Sequence, residues 1–303
     1  YRIAHNFRHK FMQRLWQEKI DTHILIGNHD IYYRNTNKVN AVQELCTAPD
    51  GINEPFIYEE PKVVNFDGLN ILMMPWMNPE NEKQCLEMLN TAPAEICMGH
   101  FDLNGFRMLD KMVQTHGYDK SIVSRFEKVF SGHFHHKSDD GQVFYLGSQY
   151  EMTWSDYANK KGFHIFDTET RELEFIENPY TIFLRLNYHD DVIDYDKIDI
   201  NEYDQKFVKL VVTTKKNNQM FDRLLDKLYN KINVHELKIL EDYSDLNQAN
   251  VSDDVVEGSE DTITLVNNYV DQLPVDLDKD RLKLMIKEMF VEAQDSDIKY
   301  DNI

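Results

Sequence analysis

Apolar residues recur along the chain in two rhythms, and the changes between them lay out the elements. Over residues 6–20, Phe7, Phe11, Leu15 and Trp16 share one stripe at helical spacing, which predicts an amphipathic helix. A strand at His23–Ile26 follows, then a polar loop from Tyr32 to Asn37 and a short helix at Val39–Leu45. Pro61–Pro75 reads as a hairpin, with Asp67-Gly68 as the turn between Val63-Val64 and Leu69–Met74. Helical spacing returns over 80–91. A strand at Glu95–Met98, a helix within 104–116 and a strand at Lys128–Ser131 come next. Beyond them, Val143–Leu146, Phe163–Phe166 and Glu172–Ile176 succeed one another as strands. Strand–helix–strand followed by strand after strand predicts a mixed α/β fold with a largely antiparallel second sheet.

The pattern changes after about residue 187. A strand at Phe207–Thr213, a helix at Met220–Lys231 and a strand at His235–Leu240 form a βαβ-like unit, too small for a catalytic core, that reads as a separate cap. Residues 241–261 are acidic and polar, including Asp253-Asp254 and Glu257–Asp261, and read as a linker. Two amphipathic helices end the chain. Ile263, Val266, Val270 and Leu273 mark the first, Leu282, Met285, Ile286, Met289 and Phe290 the second, with Pro274 between them. The division expected is therefore 1–187, a main domain; 188–245, the cap; 246–261, the linker; and 262–303, a helical tail. The tail's apolar stripes need burial, either on the main domain or on a partner.

Composition narrows the function. A net charge of −20 argues against a broadly basic nucleic-acid binder, although a local basic groove or bound cations could still receive phosphates. No apolar run is long enough to span a bilayer and no secretory signal is visible, so a cytoplasmic protein with no membrane partner is expected. Cys46, Cys85 and Cys97, odd in number and far apart, read as buried or free thiols in a reducing compartment.

Candidate chemistry lies where apolar strands end. Gly27-Asn28-His29-Asp30 follows Ile24–Ile26, Gly99-His100 follows Ile96–Met98, and Gly132-His133-Phe134-His135-His136 follows Val129-Phe130. Ligands gather at the carboxyl ends of strands in α/β sheets, so the three loops are expected to converge on one site. Imidazoles with an asparagine oxygen suit Mn, Fe or Zn better than Mg or Ca. A two-metal site polarises a phosphate and lowers the pKa of a bound water. His29, beside Asn28, is placed to act as the acid for the leaving group, and Asp30 could orient it or hold it protonated. His5, His9, His23, His116, His164, His189 and His235 read as structural or surface residues. His136, by alternation, points away from the His133/His135 pair.

These residues carry a resemblance. Gly-Asn-His-Asp, then Gly-His, then Gly-His-x-His, in this order, is similar to the calcineurin-like metallophosphoesterases, within them to the Mre11/SbcD nucleases, and among those to the nuclease subunits of T4-like phage recombination complexes. Ile26–Asp30, Met98–Phe106, Val129–His135 and Gly162–Glu169 support it. The resemblance implies a four-layer α/β/β/α metallophosphoesterase sandwich with a small α+β cap and C-terminal helices. It implies a DNA nuclease using two Mn²⁺ ions (Mg²⁺ or another divalent ion also serving), partnered by a Rad50/SbcC-like ATPase that takes the C-terminal tail. Asn28, His100 and His133 match ligands of one metal, His135 a ligand of the other, and His29 the catalytic histidine. In related nucleases a helical stripe like Phe7, Phe11, Leu15 and Trp16 forms a homodimer bundle; packing on the sheet is the other reading. The family's Asp-x-His and Gly-Asp-x-x-Asp motifs, which carry the remaining ligands, are not found here. The chain, opening on Tyr1, is therefore expected to be a piece of a longer product with a depleted second metal site. Two other functions share these features: a small-substrate phosphoesterase, and a catalytically depleted scaffold that binds the ATPase.

Overall fold

A computed structural model describes residues 2–46, 54–109, 112–114 and 117–240, with Val270 and positions 278–279, 281–283 and 285–286. The chain divides into two compact units, Tyr1–Gln149 with Lys160–Asn178, and Tyr150–Asn159 with Pro179–Ile303.

The first unit opens with α1 (Arg2–Phe7), a π-helical turn (Arg8–Met12) and α2 (Gln13–Gln17). β1 (His23–Leu25), α3 (Ala41–Cys46) and β2 (Phe56–Tyr58) follow, and β1 pairs with β2 in parallel. Then come β3 (Lys62–Phe66), β4 (Leu69–Met74), α4 (Glu82–Thr91), β5 (Ile96–Gly99), β6 (Arg107–Leu109) and β7 (Met112–Val113). β8 (Lys128–Ser131), β9 (Ser138–Asp139), β10 (Val143–Tyr145), β11 (Gly162–Phe166) and β12 (Leu173–Glu177) complete it.

Six of these strands make one sheet in the order β3-β4-β5-β8-β10-β9. Its four inner strands run parallel, and β3 and β9 are antiparallel edges. Alternation along each strand sorts the side chains between two cores. Leu72, Met74, Cys97, Val129, Val143 and Tyr145 pack with Cys85 and Leu89 of α4. Ile71, Met73, Ile96 and Phe130 face the other way, toward Leu25 and Tyr58 of the β1–β2 pair and Phe166 and Leu173 of the β11–β12 pair. Outside β1–β2, Ile24, Ile26 and Ile57 meet Met12, Phe7, Leu15, Trp16, Val42 and Cys46. Each large apolar side chain buried this way contributes about 1.5–3 kcal/mol. The architecture is mixed α/β. Two separate strand pairs, β1–β2 and β11–β12, pack on the face of the main sheet that Ile71, Met73, Ile96 and Phe130 present.

Three expectations need correction. The helix anticipated within 104–116 is replaced by the β6–β7 hairpin. Gly105, at φ +87, turns the chain, and Gly105 N–H and Gln114 N–H donate across it to Gln114 and Phe106 carbonyls. The strand at 143–146 does not open an antiparallel second sheet: with residues of both cores on it, β10 enters the main sheet parallel to β8. The first helix is not one continuous stripe. Its π turn adds a residue to the register, so Met12 is fully buried while Phe11 is 53% exposed.

In the second unit, β13 (Phe183–His189), β14 (Phe207–Thr214) and β15 (Glu236–Leu240) form a parallel sheet, and α5 (Asn218–Asn230) connects β14 to β15. Met220, Phe221, Leu224 and Leu228 of α5 pack on Leu186, Tyr188, Val208 and Leu210. Asn217 caps the helix by accepting the Met220 N–H. β13 straddles the compositional change near residue 187, which hid it: Arg185 and Asn187 interrupt its apolar positions. The acidic linker and most of the tail stripe (Ile263, Val266, Leu273, Pro274, Met289 and Phe290) lie outside the described residues. Val270 is buried, Leu282 and Ile286 are half-buried in helical backbone, and Met285 is exposed. Among the described residues no helix is long and apolar enough to cross a membrane, and all three cysteines are buried and free.

Candidate functional site

β5 and β8 are adjacent and parallel, with Gly99 opposite Ser131, so the residues that leave their carboxyl ends emerge side by side. Gly132 N–H donates to the Gly99 carbonyl, and His100 N–H to the Met74 carbonyl at the end of β4. Trp76, just past β4, donates its backbone N–H to Ile26 and so ties in the loop after β1. The ends of β1, β4, β5 and β8 are thereby fastened together.

The side chains follow. His100 Nε2 lies 2.8 Å from Asn28 Oδ1, within hydrogen-bond distance. The His100 and His133 rings lie 5.3 Å apart, and Trp76 sits against both, at 5.9 and 5.4 Å. His100 is bracketed by two glycines: a Cβ on Gly27 would come within 2.8 Å of its Cε1, and one on Gly132 within 2.9 Å of its Nδ1. Both glycines are therefore needed for close approach. His133 adopts φ +89, an uncommon conformation for a residue with a side chain and one that gathers at functional sites.

Burial, then the neighbouring imidazoles of His133, His29 and His135, push His100 down to about 3. Burial, then His29 and His135, push His133 down to about 4. Both rings are neutral near pH 7, as lone-pair donors must be. The same influences bring His29 and His135 into electrostatic range of the pair.

Asp30 does something more local. Its Oδ2 accepts the Gly27 N–H at 2.7 Å, closing the turn that carries Asn28 and His29. His29 itself is exposed. His135 is half-buried, and its carbonyl accepts from Ser148 N–H and from Lys161 Nζ, the latter at 2.8 Å. His136 is buried beyond it. The structure thus joins Asn28, His100 and His133 directly. Two neighbours of the site were not singled out from sequence: Trp76, which nothing marks beyond its place after a strand, and Asp102, two residues past His100.

In kind, the donors suit a transition metal: a neutral imidazole and an amide oxygen already side by side, with a second imidazole next to them. Among the described residues, however, no three His, Cys, Asp or Glu side chains gather closely enough to hold a metal ion. The set fits as part of a coordination sphere and not as the whole of one.

No family model matches the chain. Over 291 residues it is 33% identical to exonuclease subunit 1 of enterobacteria phage T4, covering 95% of this chain and 81% of that protein. The chain belongs to the family of phage T4 exonuclease subunit 1. The kinship with the T4-like recombination nucleases, first read from the motifs, rests now on identity along nearly the whole chain. In this exonuclease subunit 1 relative, the motifs that carried the resemblance are the loops that close around His100.

Proposed function

We propose that the protein is the nuclease subunit of a DNA recombination and repair complex, hydrolysing phosphodiester bonds on a calcineurin-like scaffold in the host cytoplasm. The observation that carries this is the meeting of Asn28, His100 and His133 at neighbouring strand ends, in a chain related to a phage exonuclease subunit. Asn28, His100 and His133 would hold one divalent ion, Mn²⁺ by preference, and His135 belongs to the second site. When bound, the ion would neutralise charge at the phosphate and lower the pKa of a water, making hydroxide available as the nucleophile. His29, exposed beside Asn28, gives a proton to the leaving oxygen. Asp30 keeps that loop closed by holding the Gly27 N–H.

Assays on single- and double-stranded DNA with Mn²⁺ test this reading. His133→Ala should lose both Mn²⁺ binding and cleavage. His29→Ala should lower turnover and leave Mn²⁺ binding nearly intact. Cleavage that persists in excess chelator, or a His29→Ala variant lacking a whole metal equivalent, would overturn these roles.

The partner in this reading is a Rad50/SbcC-like ATPase docked on the C-terminal helices, so removal of residues 262–303 should abolish its capture in a pull-down. Self-association uses the first helical segment, where Ile3 (84% exposed) and Phe11 are left over after Phe7, Leu15 and Trp16 pack inward. Sedimentation of Phe11→Glu as a monomer supports a homodimer through this face; an unchanged mass counts against it. That no three His, Cys, Asp or Glu side chains gather around a metal position among the described residues favours a second reading, a depleted scaffold for the ATPase. Retention of the ATPase without Mn²⁺ binding or DNA cleavage would decide for it.

A further inference from the structure

We propose that Asp102 is a positioning residue for His133, selecting the tautomer in which Nε2 carries the proton and Nδ1 keeps the lone pair. The inference rests on His133 being a ligand, as above, but the tautomer is a property of the protein without metal.

Asp102 Oδ1 lies 3.8 Å from His133 Nε2, with only 17% and 9% of the two side chains exposed. An ionised carboxylate only accepts, so the ring nitrogen this close to it is favoured in its N–H form. Histidines that bind metals are commonly fixed in this way, through the nitrogen they do not offer to the ion.

The carboxylate is itself held in place. Gln114 Nε2 donates to the same Oδ1 at 2.7 Å. Gln114 arrives there because the 105–114 hairpin closes by backbone hydrogen bonds, and Tyr118 N–H donates to the Asp102 carbonyl at 2.8 Å. At Gly117, φ is +94 and a Cβ would stand 2.4 Å from that carbonyl oxygen, so the loop can close on Asp102 only through glycine. On its other sides the His133 ring meets Trp76, His100 and Phe134, at 5.4, 5.3 and 4.9 Å. Backbone, side chain and ring are each pinned, and the loop after β5 thereby sets how the loop after β8 presents its first histidine.

Long-range ¹H–¹⁵N spectra of ¹⁵N-histidine-labelled, chelator-treated protein test the proposal, with the His133 signal assigned through His133→Gln. The wild type should show His133 in the Nε2–H form. Asp102→Ala should shift it toward a mixture, and Gln114→Ala, which loosens the carboxylate without removing it, should do so to a smaller degree. Paramagnetic titration with Mn²⁺ should show affinity weakened by about 10- to 100-fold in Asp102→Ala at unchanged stoichiometry. An unchanged tautomer in both variants overturns the proposal, and so does the loss of a whole Mn²⁺ equivalent, which would make Asp102 a ligand. A wild type that binds no Mn²⁺ overturns the metal reading instead, and the tautomer still decides the role of Asp102.

Discussion

At the scale of single residues, a methyl group is enough to disturb His100. Gly27→Ala and Gly132→Ala would each press a Cβ to within 3 Å of the imidazole. Overpacking at such a place costs about 1–3 kcal/mol. Urea titration should show that loss, and the Mn²⁺ binding proposed above should weaken as well, because the ring is displaced from Asn28. His23 offers a pH test away from the site. It stacks on Phe56, meets the edge of Phe66 and hydrogen-bonds Tyr58 Oη at 2.6 Å; burial holds its imidazole below the usual range, against a smaller opposing pull from Asp21. A folded-state pKa below the unfolded 6.5 means that the unfolded chain takes up the proton first. His23 therefore stabilises the fold fully above pH 6.5, and that contribution is lost as pH falls toward its folded pKa. Melting curves at pH 7, 6 and 5 should show a decline that is shallower in His23→Phe, which keeps the stack and cannot titrate.

At the scale of elements, the first helix makes the sharpest contrast. Its π turn buries Met12 and exposes Phe11. Met12→Ala should cost about 2–5 kcal/mol, as for other core truncations, and Phe11→Ala about 0.5 kcal/mol or less in a monomer. Reversed values in chemical denaturation would restore the uninterrupted stripe. This turn also shows where sequence stops being legible. Phe7, Phe11, Leu15 and Trp16 satisfy helical spacing whether or not a residue is looped out, since only the tertiary fit of Met12 against Ile26 and Val42 decides it. The β3–β4 hairpin was fully readable because its turn is local chemistry: Asp67 and Gly68, at φ 50 and 95, meet the two positive dihedrals of a two-residue hairpin turn. The strand-end loops were readable for the same reason, as each motif follows its own apolar run. The partnership of Asp102 with His133 was not, because it depends on a hairpin where the pattern had suggested a helix. The parallel seating of β10 was likewise hidden, since Val143–Tyr145 is too short to reveal its direction.

At the scale of the whole molecule, the two units are not two consecutive lengths of chain. Residues Tyr150–Asn159 belong with the second unit, although the chain then returns to the first for β11 and β12. Glu151, nearly fully buried, accepts the N–H groups of Ile182 and Phe183, and Trp154 packs on Phe183 and under Lys209 Nζ. A protein cut after Asn178 should keep the first unit's sheet, yet leave that carboxylate and indole without the groups they were buried against. It should bind a hydrophobic dye and aggregate more readily than the intact protein in light scattering; a well-behaved monomer would speak against this. The same interleaving constrains synthesis on the ribosome. When β10 has emerged, the ten residues behind it must wait through the making of β11 and β12 for partners not yet translated. The nascent chain thus carries an acidic, aromatic segment in solvent until β13 and β14 appear, so the first unit is finished while a piece of the second still hangs from its side.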